Sequence, residues 1–292
     1  MRVVRLGENG GVSPAFFTAE GDRLIANDVA RSLWSHNQMH GVAIGGAVSR
    51  ALEQGLAGIE RADLRPARYN VDMFRAVAMD IPCEFRTRVV REGPRIALID
   101  AELVQEGEAR CRATGLFLKP SANPVGDLWT PDHQLAPPPP EEADEDDERK
   151  PPVFYSEDQG WSSDFFKHQN GSRKIVWQTA LPVVTGEQIS PFQAACSAAD
   201  TVTLATNWGA EGVQHINTDV VLSLSRAPVG NELGFAALTR SETDGIASGS
   251  CVVYDRRGVL GSAITTSLAN AQRTVDFTRV EIPEDGSAAR RI

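Results

Sequence analysis

The chain has 292 residues, 41% hydrophobic and 23% charged, with a formal net charge of -10. That balance fits a globular protein and argues against binding driven by bulk charge, whether to nucleic acid or to an anionic membrane surface. No apolar run approaches the ~20 residues needed to span a bilayer, and the segment MRVVRLGENGGVSPAFF lacks a signal-peptide core. Cys83, Cys111, Cys196 and Cys251 are scattered without a Cys-x-x-Cys pair, so buried thiols in a cytoplasmic protein are expected, with no metal and no disulfide framework.

In chain order, AFFTAEGDRLIAND reads as a strand. Met39–Gly58 follows as a helix whose Ala47, Ala51 and Leu52 share one face. Four strand-like runs come next, at about 68–78, 82–91, 95–105 and 109–118, with turns at REGPR and QEGEA. The stretch APPPPEEADEDDERKPP carries no residue able to join a core and reads as a solvated linker, stiffened by proline and extended by self-repulsion.

Beyond it the order repeats. RKIVWQTALPVV is a strand. SPFQAACSAADTVTLATNWG is a helix, with Ser190 as N-cap, Pro191 at its first position and Gly209 after its end. Four strands follow at about 216–226, 232–242, 245–254 and 259–268. Asp72 in NVDMFRAVAMDIP and Asp219 in NTDVVLSLSRAPVG occupy matching places, as do Thr114 and Thr265. The pattern is an internal duplication of low identity. Each half makes an antiparallel sheet with one helix on its face, and two such units bury their remaining apolar surface against each other. The expected boundaries are 1–125 for the first unit, 126–155 for the linker and 156–292 for the second.

Three stretches carry a resemblance to a known family: MHGVAIGGAVSRALE, NVDMFRAVAMDIP, and NTDVVLSLSRAPVGNELG with GIASGSCVVYDRRGVLGSA. Together they resemble the acyl-CoA thioesterase II family within the thioesterase-like superfamily. The resemblance implies an α+β double hotdog, two tandem units each with an antiparallel sheet wrapped around a long central helix. It also implies hydrolysis of acyl-CoA to free acid and CoA, a role in fatty acid metabolism, an acyl-CoA substrate and no cofactor. In that family an Asp, a Ser or Thr and a Gln position the attacking water. These fall on Asp219, at or near Ser241, and on or beside Thr265, where the Gln is absent.

A carboxylate at the edge of an apolar groove has its pKa raised toward the useful range for a general base. Asp219 is expected to face the start of the first helix. There, backbone N–H groups near His40, Gly41 and Val42 are positioned to receive an oxyanion. Asp72 is expected at the second helix start as a possible second site. Two alternatives differ in class. One is a hotdog module that binds acyl-CoA or lipid without catalysis, which the missing Gln favours. The other is an enoyl-CoA hydratase, against which strand spacing keeps His215 roughly 13 Å from Asp219. No Gly-x-Ser-x-Gly elbow, phosphate loop or metal-spaced cluster appears. Exposed sheet edges make a homodimer plausible.

Overall fold

The computed structural model describes residues 14–133, 135–140 and 151–280, and the backbone of 281 and 290–291. Residues 1–13 of MRVVRLGENGGVSPAFF and the acidic part of the linker lie outside the described residues. In chain order the elements are β1 (Phe17–Glu20), β2 (Arg23–Ala26), α1 (Gly41–Ala57), β3 (Arg65–Met73), β4 (Glu84–Gly93), β5 (Ile96–Gln105) and β6 (Glu108–Leu118). Then come β7 (Val153–Ser156), β8 (Gly160–Ser162), α2 (Phe165–His168), β9 (Lys174–Thr179), α3 (Pro191–Ala198) and α4 (Val202–Asn207). The chain continues with β10 (Trp208–Gly209), β11 (Gly212–Val213), β12 (His215–Asn217), β13 (Asp219–Leu224), β14 (Glu232–Thr243), β15 (Ile246–Asp255) and β16 (Gly258–Ala269).

The two sets of four strands fuse into one antiparallel sheet of order β4-β5-β6-β3-β13-β16-β15-β14-β9-β7-β8, with β12 also on β16. The seam is β3 on β13, where Val71 faces Val220 and Asp72 faces Asp219. Period-2 alternation decides which side goes in. Val220, Leu222 and Leu224 are buried, whereas Asp219, Val221 and Ser223 point away from the core. This is the α+β double hotdog.

The helices fill the concave side. The apolar face of α1 is buried through Ala47, Val48, Ala51 and Leu52. α3 runs antiparallel to it. Ser197 Oγ donates to Val42 O at 2.9 Å near the start of α1, and Ser190 Oγ donates to Glu53 near its end. Small residues set the spacing: a Cβ on Gly45 would stand 2.6 Å from Cys196 O, so only glycine allows this approach.

Three sequence expectations change, the first being the single helix expected over SPFQAACSAADTVTLATNWG, which a 3-10 turn at Ala199–Thr201 breaks into α3 and α4. AFFTAEGDRLIAND is a two-stranded hairpin, not one strand, because Gly21 turns the chain at φ 60°. It docks on the second unit, with Phe17 N–H donating to Val183 O at 2.9 Å. The 153–162 region adds two edge strands to the second unit that short, aromatic-rich runs did not announce.

The turn at Arg226-Ala227-Pro228 and the hairpin at Tyr254–Gly258 lock together. Arg226 forms two bonds to Asp255, at 2.7 and 2.8 Å, and the carboxylate also accepts from Val229 N–H and Arg257 N–H. Burial pushes the Asp255 carboxyl up, but these donors outweigh it and hold it at about 2. Its folded pKa is thus depressed, so the stabilisation is full above the ordinary carboxylate range and is lost as pH falls toward about 2. Asp255→Asn is expected to cost about 2 kcal/mol at neutral pH, less than the ~3–5 of a fully buried pair because the Arg226 side chain is 34% exposed. Urea unfolding of both proteins should give midpoints that converge between about pH 4 and 2.

Candidate functional site

The acidic strand residues do not meet the helix starts. From Asn217 to Val221 the chain takes four steps, while the partner strand takes three, from Ser267 to Ile264. The extra residue is a bulge, and the Asp219 carboxylate closes it by accepting from Thr266 N–H at 2.8 Å. Asp219 therefore replaces a missing main-chain acceptor on the outer side of the sheet. Thr265 is fully buried and points inward, and its hydroxyl donates to Asp219 O, a backbone atom, at 2.8 Å. Ser241 is exposed on β14 opposite Ser248, which in turn faces Thr266. That is two strand spacings, or about 10 Å, from the Asp219 bond. Asp72 is exposed between Asp219 and Arg112 on the same outer side. Asp219 and Asp72 are cross-strand neighbours on the outer side, while strand parity turns Thr265 inward and strand order removes Ser241, so the four do not form one site.

The carboxylate that does meet the start of α1 is Asp200. It lies in a short 3-10 turn, Ala199–Thr201, joining α3 to α4. A Cβ on Gly41 would fall 2.2 Å from Asp200 Oδ1, so the carboxylate rests directly on the glycine. Oδ1 accepts from Asn217 Nδ2 at 2.8 Å. Oδ2 has no protein donor among the described residues. Burial raises the Asp200 carboxyl above its ordinary value, and the Asn217 bond offsets this only in part.

His40 caps α1. Nδ1 accepts from Ala43 N–H at 3.1 Å and Nε2 faces Val29 O at 2.9 Å, which requires a proton on Nε2 and none on Nδ1. Burial pushes its pKa down, consistent with a neutral ring. Both nitrogens are occupied, so His40 has none left for a substrate. Gly41 and Val42 differ: as the first residues of α1 their N–H groups have no helical acceptor, and no other meets them among the described residues.

A cavity of about 350 Å³ opens on these groups. Its walls are largely apolar, including Leu33, Trp34, Phe165, Leu204, Val213 and Phe277, and its polar groups include Asp200, Asn217, Gln178 and Thr203. Thr203 Oγ1 is buried without a partner. The Thr201 hydroxyl donates to Gln178 Oε1, and Gln178 Nε2 has no acceptor among the described residues. An amide thus does line the site, supplied by β9 and not by β16. The signal for Asp200 was in the sequence, as it is the sole charged residue between Phe192 and Asn207. No group among the described residues could hold a metal ion, and none of the described helices is long and apolar enough to cross a membrane.

The pseudo-symmetric counterpart is closed. At the start of α3, Glu53 of α1 accepts from Ser190 Oγ at 2.8 Å and from Gln193 Nε2 at 2.7 Å. Its carboxyl is also raised by burial, but its oxygens are met by protein donors.

Residues 30–118 match the model of the acyl-CoA thioesterase N-terminal domain family. The structure is similar to the acyl-CoA thioesterase II TesB2 from Mycobacterium marinum. That match has 16% identity and a TM-score of 0.58, over 78% of this chain and 90% of that one. A putative thioesterase II from Thermobifida fusca gives 18% identity and a TM-score of 0.60, over 88% and 96%. A hotdog-fold protein of unknown function from Alicyclobacillus acidocaldarius gives 14% and 0.59, over 87% and 95%. No curated protein matches this chain in sequence. The architecture is that of tandem hotdog proteins. Within that class, the first unit carries the sequence match to the acyl-CoA thioesterase N-terminal domain family.

Asp200→Asn is expected to raise the melting temperature, because an ionised buried carboxylate with a raised pKa costs stability at neutral pH. Asp219→Ala is expected to lower it by leaving Thr266 N–H unpaired, a loss of about 1 kcal/mol. Differential scanning calorimetry of the two variants tests these opposite signs. Gly41→Ala places its methyl inside the Asp200 carboxylate and should destabilise the fold in the same assay, an effect that Asp200→Gly relieves.

Proposed function

We propose that the chain hydrolyses acyl-CoA to free acid and CoA, with Asp200 as the base that holds the attacking water. One observation carries the reading: a carboxylate oxygen without a protein donor stands at the open N-terminus of a helix inside an apolar cavity. The apolar walls take the acyl chain. Water donates a hydrogen bond to Asp200 Oδ2 and attacks the thioester carbonyl, passing its proton to the carboxylate. The carbonyl oxygen gains negative charge and accepts from Gly41 and Val42 N–H, where the helix dipole is positive. When the intermediate collapses, the C–S bond breaks and the proton on Asp200 passes to the leaving thiolate.

Asn217 keeps Asp200 aimed, and Gln178 adds an amide donor to the cavity, held by Thr201. These roles replace the assignment to Asp219, Ser241 and Thr265. They also weaken the argument for a purely binding module, which rested on a missing amide. The hydratase alternative gains nothing from His40, whose ring nitrogens are both engaged.

The test is steady-state hydrolysis of acyl-CoAs of graded chain length. The wild type is expected to turn over at least one of them. Asp200→Asn should lower kcat by about 10²–10⁴-fold, and Asp219→Asn by less than about threefold. Equal rates for wild type and Asp200→Asn across the panel overturn the proposal. The rate should rise with pH through a single ionisation above the ordinary carboxylate range, since the base must lose its proton.

A further inference from the structure

A second cleft, of about 490 Å³, lies on the other side of α4 from the Asp200 cavity. Asp200 to Leu204 supply one wall of the cavity, whereas Ala205, Thr206 and Asn207 line the cleft. The remaining boundary is formed by Gly171–Arg173, the β10–β11 turn and the outer part of β14. There β14 is bulged between Ala237 and Thr239, which widens the opening and leaves Leu238 51% exposed at its rim.

One buried donor of the cleft has no acceptor. Trp208 is 4% exposed and its indole Nε1–H makes no hydrogen bond. His215 is 8% exposed and its Nε2 lies 3.4 Å from Glu242 Oε1. Leaving such a donor unmet costs about 1–3 kcal/mol, so folding alone does not account for it.

Two guanidinium groups stand beside them with unspent N–H groups. Arg173 spends Nε on Ala237 O. Arg240 spends Nε on Asn207 Oδ1 at 3.3 Å and one terminal nitrogen on Glu242 Oε2 at 2.6 Å. The other nitrogens of both have no acceptor among the described residues. The acids of the cleft are Glu242, already engaged by Arg240 and His215, and Glu211.

We propose that this cleft binds an oxyanion, the phosphate or carboxylate group of a ligand distinct from the acyl chain. Two or three oxygens on one centre meet both the indole N–H and a guanidinium fork, which no single neutral acceptor does. The rim Leu238 gives the organic part of such a ligand an apolar contact. The site stands independently of the hydrolytic reading, since it shares none of the groups assigned to the reaction.

The full chain is titrated calorimetrically with inorganic phosphate and, separately, with acetate, while the indole N–H signal missing from Trp208→Phe is followed by NMR. Saturable binding of phosphate alone assigns a phosphate ligand, and of acetate alone a carboxylate; either supports the proposal when the Trp208 signal shifts along the same curve. Arg240→Gln should weaken binding about tenfold or more, and Asp200→Asn should leave it unchanged. Arg173→Gln is the second variant, because Arg240 also braces Asn207 and its loss can unsettle the end of α4. The proposal falls if neither anion binds saturably, or if binding persists unweakened in both arginine variants.

Discussion

Everything in the molecule depends on how closely α1 and α3 can run side by side. Gly45 against the Cys196 carbonyl sets that distance, and the Ser197 bond to Val42 O sets the register along the pair. Because the helices are antiparallel, the start of each lies beside the later part of the other. A helix start is a cluster of unmet N–H groups in a positive field. The chain answers with one carboxylate at each end: Asp200 for α1 and Glu53 for α3.

The two ends are related by pseudo-symmetry and differ in chemistry. At α3 a serine cap and Gln193 close on Glu53, so the charge is spent on structure. At α1 the cap is a histidine that turns its ring back toward Val29, and the next residue has no side chain. The Asp200 carboxylate is thereby left with one oxygen free, in a cavity of apolar walls. Small differences at two residues, His40-Gly41 against Ser190-Pro191, separate an open acid from a satisfied one.

Much of this was legible. Duplication, helix faces, the Ser190 cap and the run of four strands in each half all follow from periodicity and turn residues, which are local. The paired motifs around Arg226 and Asp255 were visible as motifs, although their bond to each other was not. The expected residues fail to form one site for a physical reason. Asp219 stood out because a carboxylate heading a β-branched strand looks costly, but the bulge that uses it depends on counting steps along a distant partner strand. Asp200 was passed over because one acid in a helix of small residues looks like an ordinary solvent-facing position. Its burial comes from Gly41, a contact between the two halves that no local pattern encodes. Gln178 was hidden in the same way, inside a strand read only for its hydrophobicity.

The position of Gly41 bears on how the two halves change over time. The open site takes its N–H groups from the first unit and its acid, amides and most of its walls from the second. In an assembly of identical single units every substitution is made twice, so an improvement at one helix start is also imposed on the other. Fusion into one chain removes that coupling. One junction is then free to become rigid and fully paired, bracing the fold, while the other keeps an unpaired charge. Both carboxylates have pKa values raised by burial, yet only Glu53 is tied down by protein donors, and neither half could make that division of labour alone.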